Sequence, residues 1–398
     1  MARLLTALRA RATLLTFVFM SCLLAVSQEA SGGDGYPSVV QTSPLSHAGV
    51  STSRANVAWM IDSFKKWAAR NSVPNAVLVI REPNGPGGTE TVGGIWTADT
   101  HRPIASTSKA ITAICIQFML DGGQLRLDQD VRYLGTDFSN QILSAFQGRV
   151  AQVTVEDLFR HTSGFTVDPT QGASFATGAF QPNPAEWFAL QAFNNATFGT
   201  PGAVYNYNNV NYDILGLIIR RGLSQSYEDA CRQNVLQRHG VTGRIPPGSG
   251  FNALGAHGGW EISANDYIDF YRQAFDRTNM SQAARDFMDR VKDVNCSTCN
   301  YALGVHLTYV SPYTMVSLNT PRGTLIVPIE NPDVPAYDLD HDGDFSSTLT
   351  TPKEFSSIAV FWANGVTAFM VSDKRLDGAL GGLITDLKDG ALGGTVHP

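Results

Sequence analysis

Charged residues are scarce in this 398-residue chain: Asp, Glu, Lys and Arg make up 16%, against roughly 25% in an average soluble domain. The balance is acidic, 35 Asp+Glu against 29 Lys+Arg, so no surface built to neutralise phosphates is expected and nucleic acid is excluded as a partner. Long apolar runs are almost missing as well. The run from Leu14 to Val26 follows Arg3, Arg9 and Arg11 and falls short of the roughly 20 residues that a spanning helix needs. Its length, its basic flank and the small residues Ala25 and Ser27 fit a secretory signal peptide over residues 1–27, cleaved after Ser27. A later run, Ile358 to Val371, is interrupted by Asn364-Gly365, so no membrane contact is expected once the leader is gone. The expected location is secreted or extracellular, and periplasmic in a bacterium.

Cysteine is sparse, with 5 residues, of which Cys22 leaves with the leader. Cys115, Cys231, Cys296 and Cys299 allow three pairings, and the sequence does not choose between them. Cys296 and Cys299 lack the second ligand pair of a structural zinc site, and Cys115, inside an apolar helix, reads as a buried thiol. Several catalytic signatures are absent: no H-E-x-x-H, no G-x-S-x-G, no phosphate-binding Walker loop and no complete G-x-G-x-x-G. The usual metal, nucleotide and α/β-hydrolase chemistries lose their support, and neither cofactor nor metal is expected. Asn195, Asn279 and Asn295 open N-x-S/T sequons, which matter only in a eukaryotic secretory route.

What is present is a large apolar fraction, 43%, enough for a substantial core. A polar, Gly/Ser/Pro-rich lead-in runs over residues 28–50. Apolar residues at three- and four-residue steps predict a helix from Asn56 to Arg70, and two strands follow, Asn75 to Ile80 and Thr89 to Trp96. A helix from Ala105 to Leu120 stops at Asp121-Gly122-Gly123. Short helices fill the middle, at Val155–Arg160, Tyr212–Arg221 and Ala264–Phe275. The last hundred residues are strand-like: Tyr301 to Val310, Tyr313 to Asn319, Thr324 to Ile329, then Phe355–Trp362 and Val366–Val371 around the Asn364-Gly365 hairpin cue. The fold class is α/β of the α+β type, one sheet completed by both ends of the chain and a mostly helical insertion. A single catalytic domain is expected over 51–398, its sheet lobe about 51–105 and 300–398 and its helical lobe about 106–299.

The chemistry concentrates at Ser106-Thr107-Ser108-Lys109. Spacing of three puts hydroxyl and amine on one helical face, and apolar surroundings favour an uncharged Lys109 that can take the proton of Ser106. Ser63-Phe64-Lys65-Lys66 has the same spacing on an ordinary solvated helix, so spacing alone does not identify the site.

Context does. Ile104 to Lys109 with Gly123-Gln124-Leu125-Arg126-Leu127-Asp128, then Val155 to Phe165 containing His161-Thr162-Ser163-Gly164, then Tyr205-Asn206-Tyr207-Asn208-Asn209 with Tyr212, Leu215 and Gly216, then Gly258-Gly259-Trp260 with Ser263 and Asp266, resemble in order the class C β-lactamase and penicillin-binding-protein family of serine hydrolases. The resemblance covers most of Ala105 to Leu349 and implies a β-lactamase/DD-peptidase-like fold, an antiparallel sheet flanked by helices. It implies Ser106 as the acylated nucleophile, Lys109 as its proton acceptor and Tyr207 as a second acid/base, a phenolate at pH 7 being favoured by the Lys109 charge. Asn209 would bond the acyl substituent. His341-Asp342-Gly343 stands where that family carries K-T-G or H-x-G, so His341 and Gly343 would line the cleft, with the backbone N–H of Asp344 and of Ser106 forming an oxyanion hole. His161 is read as structural.

Asp342 departs from the usual Thr or Ser, and Asp338, Asp340 and Asp344 crowd the same stretch. Such acids would repel a substrate carboxylate, which favours an esterase or amidase acting on neutral acyl groups over a true β-lactamase or DD-peptidase. The expected partner is a small-molecule ester or amide, a degenerate binding protein of the same fold being the alternative. Asp338-x-Asp340-x-Asp342-Gly343 also has calcium-loop spacing, without the acidic residue that would close the loop at Leu349.

Overall fold

A computed structural model describes residues 55–83, 85–247, 250–291, 300–309, 313–320, 323–330, 337–350, 352–376 and 378–391. The leader, the lead-in, Asn295, Cys296 and Cys299 lie outside the described residues. Chain contacts divide the protein into two units, Leu45–Thr314 with Glu330–Pro398, and Met1–Pro44 with Met315–Ile329. Of the smaller, the described part falls in a two-stranded sheet of β8 (Tyr313–Thr320) and β9 (Gly323–Glu330).

The larger unit is built on seven strands in the order β2-β1-β12-β11-β10-β7-β6. These are β1 (Ala76–Arg81), β2 (Gly88–Val92), β6 (Tyr301–Ala302), β7 (Val305–Tyr309), β10 (Tyr337–Ser346), β11 (Glu354–Phe361) and β12 (Thr367–Ser372). All the neighbouring pairs are antiparallel. The two ends of the chain meet where β1 runs against β12, Ala76 opposite Ser372 and Arg81 opposite Thr367, as the sequence leads one to expect. The hairpin between β11 and β12 turns at Asn364-Gly365, Gly365 taking φ +83° in a conformation that side chains resist. A small sheet joins β3 (Arg102–Pro103), β5 (Glu261–Ile262) and β4 (Gly243–Arg244).

Alternation along β1 buries both faces of the sheet. Ala76, Leu78 and Ile80 pack with Met60, Phe64 and Trp67 of α1 (Val57–Arg70) and with Leu383 and Leu387 of the C-terminal helix Ala379–Ala391. Val77 and Val79 belong instead to the core shared with α2 (Ser108–Asp121) and with Tyr267 and Tyr271 of the helix Ala264–Phe275. Helix α2 is buried on nearly every side, which accounts for its weak apolar/polar periodicity. Around it lie α3 (Val210–Leu223) and α4 (Phe251–Gly258), both of which reach the site described below.

Cys115 on α2 and Cys231 are free and buried. Neither should react with iodoacetamide in the native protein, and both should do so in denaturant. Peptide mass mapping checks this, since a native adduct on either would show that the helical core opens readily.

Candidate active site

Ser106 sits in a tight 3-10 turn, Ala105–Thr107, that leads into α2. Ala105 holds φ +45°, a left-handed conformation costing about 1–3 kcal/mol for a residue with a side chain. The surroundings fix this turn. The Ile104 carbonyl accepts from Thr107 Oγ1 and from Ser357 Oγ, each at 2.6 Å, while Tyr267 Oη donates to the Thr107 carbonyl at 2.8 Å.

Lys109, one turn on, is fully buried. Its Nζ lies 2.9 Å from Ser106 Oγ, 2.8 Å from Asn209 Oδ1 and 2.9 Å from the His257 carbonyl oxygen. Loss of hydration outweighs the opposing influence of the nearby acids, Asp168 foremost, and brings its pKa down to about 7. A neutral amine has two N–H donors and one lone pair. Asn209 Oδ1 and the His257 carbonyl are acceptors only and take the two donors, which leaves the lone pair for Ser106. The geometry is therefore that of a base matched to a hydroxyl.

Tyr207 arrives from the segment before α3. Its ring lies 5.0 Å from Lys109 Nζ, and Ser106 is near enough to its hydroxyl to influence its ionisation. The phenolate expected from the sequence is not what the structure supports: burial raises the Tyr207 pKa well above its ordinary value, against the smaller opposing effect of Ser106. Tyr207 is a neutral phenol at pH 7, a proton donor at rest. His161 packs against it with tilted rings whose centres are 4.4 Å apart, and its Nδ1 accepts from the Asn208 N–H at 3.2 Å and from Asn211 Nδ2 at 2.9 Å, in keeping with a structural role.

The stretch read as a possible calcium loop is the regular strand β10, paired with β7 on one side and β11 on the other. Its odd and even positions face opposite ways. Gly343 presses on the nucleophile turn: a Cβ there would stand 2.5 Å from Ser106 N. His341 is buried, its Nε2 2.9 Å from Tyr301 Oη and its ring 6.1 Å from that of Tyr207. It thus backs Tyr207 from within the core and is not among the residues lining the cleft. The acids alternate with these. Asp338 takes Lys388 Nζ at 3.0 Å and the Ala363 N–H at 2.8 Å, Asp342 is exposed, and the Asp344 carboxylate accepts from Ser356 Oγ and, at 3.0 Å, from the Leu376 N–H. Asp338 is thus engaged away from the site, whereas Asp344 is among the residues lining the cleft on Ser106 and Asp342 is near enough to act on Lys109.

A cleft of about 360 Å³ opens on Ser106, lined also by Asn209, His257, Asp344, Phe345 and Arg375. His257 and Asp213 had no visible motif in the sequence. They are 2.8 Å apart, His257 Nδ1 to Asp213 Oδ1, and both are buried. Asp213 Oδ2 has no hydrogen-bond partner, and a carboxylate so placed would cost several kcal/mol. Burial, with Asp168 nearby, raises its pKa well above the carboxylate range, while burial and the Lys109 charge lower that of His257 to about 3. With Oδ2 unpartnered the neutral acid is the favoured form of Asp213, and its hydroxyl donates to His257 Nδ1. The one available signal was that Asp213 follows Asn209 by four residues, one helical turn along α3.

An antiparallel sheet with helices on both faces, closing over a hydroxyl, an amine and a phenol, is the architecture of the serine-reactive α+β folds anticipated from the motifs. The chain belongs to the beta-lactamase family, whose family model matches residues 63–378. Protein flp of Staphylococcus aureus is 30% identical over 128 residues, 32% of this chain and 24% of that protein. The ML-236A carboxylate methylbutanoyltransferase of Penicillium citrinum is 25% identical over 218 residues, 48% of this chain and 51% of that one. The chain thus matches about a quarter and a half of these two curated relatives. Among solved structures, a D-stereospecific amidohydrolase from Streptomyces sp. shares the fold with a TM-score of 0.65 at 18% identity, covering 85% of this chain and 99% of that one.

Proposed function

We propose that this chain is a serine hydrolase that forms an acyl-enzyme at Ser106 from an ester or amide. The observation that carries the reading is Lys109 Nζ at 2.9 Å from Ser106 Oγ, with its two N–H donors engaged by Asn209 and His257. Lys109 takes the hydroxyl proton as Ser106 Oγ attacks the substrate carbonyl. The tetrahedral oxyanion is met by the N–H groups of Ser106 and Asp344, brought close because Gly343 has no side chain. Tyr207 hands its proton to the departing oxygen or nitrogen and recovers one through Lys109. Asn209, its Oδ1 held by Lys109, has Nδ2 left for the acyl substituent. Water then resolves the acyl-enzyme; an alcohol would resolve it equally well chemically, and the Penicillium relative, a methylbutanoyltransferase, supports that second acceptor. The basic, apolar leader supports a secreted protein, and no helix among the described residues is long and apolar enough to cross a membrane.

The test is labelling with a fluorophosphonate. Intact protein should be modified at one serine, Ser106→Ala should not be labelled, and Ser63→Ala should be labelled as the parent is. An unlabelled parent protein would overturn the reading.

A further inference from the structure

The couple formed by His257 and Asp213 has no part in the steps above, yet its placement is specific. The His257 carbonyl holds Lys109, and the residue lines the cleft together with Ser106 and Asn209. The next residue, Gly258, packs on the nucleophile turn, its Cβ position 3.7 Å from the Ala105 carbonyl carbon. Asp213, from α3, fixes the ring at Nδ1. The ring cannot swing without losing that bond, and the backbone that carries it cannot shift without moving an acceptor of Lys109.

With Nδ1 occupied by the Asp213 hydroxyl, the imidazole carries its own proton on Nε2. This N–H is the one polar group the ring retains, and unlike Asp213 Oδ2 it is not a buried atom lacking a partner. Asn209 and His257 share Lys109 and both line the cleft, so the two residues stand together beside the nucleophile, where Asn209 would meet the acyl group.

We propose that His257 Nε2–H is a specificity-determining hydrogen-bond donor that selects acyl groups carrying an oxygen acceptor, an ether, hydroxyl or carbonyl, near the reactive carbonyl. This rests on Ser106 being the acylated residue. It assigns Asp213 as a positioning residue that sets the tautomer of His257, and it names a substrate class: oxygenated acyl esters or amides in preference to plain alkyl ones.

p-Nitrophenyl methoxyacetate and p-nitrophenyl butanoate form a suitable pair, because their acyl chains have the same length and shape and differ by one ether oxygen. The readout is the ratio of kcat/KM for the two esters, each divided by its rate of hydroxide hydrolysis. His257→Phe should lower that ratio at least tenfold, and His257→Gln, which restores an N–H donor, should recover part of it. Asp213→Asn keeps a donor to Nδ1 and should hold the ratio within about twofold, whereas Asp213→Leu, which frees Nδ1, should lower it. A ratio unchanged in His257→Phe and His257→Gln would overturn the proposal, and so would a parallel loss for both esters. Fluorophosphonate labelling of each variant separates the two readings: an unlabelled parent sinks the acyl-enzyme at Ser106, while labelled variants with an unchanged ratio sink only the role of His257. Should His257→Phe fail to fold, the Gln and Asp213 variants carry the same comparison.

Discussion

Replacing Lys109 with methionine is expected to slow acylation of Ser106 by roughly 10³-fold, the range a positioned base contributes, without weakening the fold. The side chain is fully buried and its pKa is lowered to about 7, so the protein carries the cost of dehydrating an amine in order to have a base. Two measurements follow from that one value. In the parent protein kcat/KM should rise with pH through about 7 as Lys109 loses its proton, and Lys109→Met should lack this limb. Stability should move in the same direction. An unfolded lysine titrates near 10.4, so between about pH 7 and 10 the unfolded chain binds one more proton than the folded one, and stability rises with pH across that window. Below about 7 both states are protonated and the slope vanishes. The gain across the window is on the order of 4 kcal/mol for the parent and absent in the methionine variant, apart from slopes due to other groups. Urea unfolding at pH 6.5 and 9.5 of both proteins checks it. Methionine fills similar volume but leaves Asn209 Oδ1 and the His257 carbonyl unpaired, which offsets part of the gain. An equal pH slope in the two proteins would mean that Lys109 is charged in the resting fold.

How far the sequence reached differs from element to element, for physical reasons. The helix Ala264–Phe275 was visible from end to end because one face is wet and the other dry, and the β11–β12 hairpin announced itself through Asn364-Gly365. Strand β10 is the instructive case. Its acids at 338, 340, 342 and 344 have the two-residue spacing of a calcium loop, but the residues between them, Leu339, His341, Gly343 and Phe345, complete a period of two, the signature of a strand with two unlike faces. Reading the acids alone gave a loop; reading the intervening residues gives a strand. The Ser106–Lys109 contact was legible because it is local. The strain at Ala105, the raised pKa of Tyr207 and the His257–Asp213 couple were not, since each depends on burial or on partners far along the chain that only the closed fold supplies.

Gly343→Ala is expected to cost about 10²–10³-fold in kcat, the loss measured when one oxyanion donor is removed. Gly343 does not have a positive φ, so alanine meets no backbone penalty there; the obstacle is contact alone. The added Cβ would fall 2.5 Å from Ser106 N and 2.8 Å from Ala105 Cβ, and neither atom can give way. Ala105 is held in its left-handed conformation by the bonds to Ile104 and Thr107, and β10 is held at this point by its pairing with β11, Gly343 opposite Ser357. Ser357 ties the two together, because its hydroxyl donates to the Ile104 carbonyl. The strand and the nucleophile turn must therefore separate, and the two N–H groups meant for the oxyanion separate with them. Overpacking of this kind costs about 1–3 kcal/mol of stability, small enough for the variant to fold, so the main effect should appear in kcat with KM nearly unchanged. Gly148→Ala is the control, since nothing lies within 4 Å of the Cβ position there. If Gly343→Ala turns over substrate at the parent rate, β10 does not supply the oxyanion donor, and the N–H of Ser106 must be paired with a donor from some other part of the cleft.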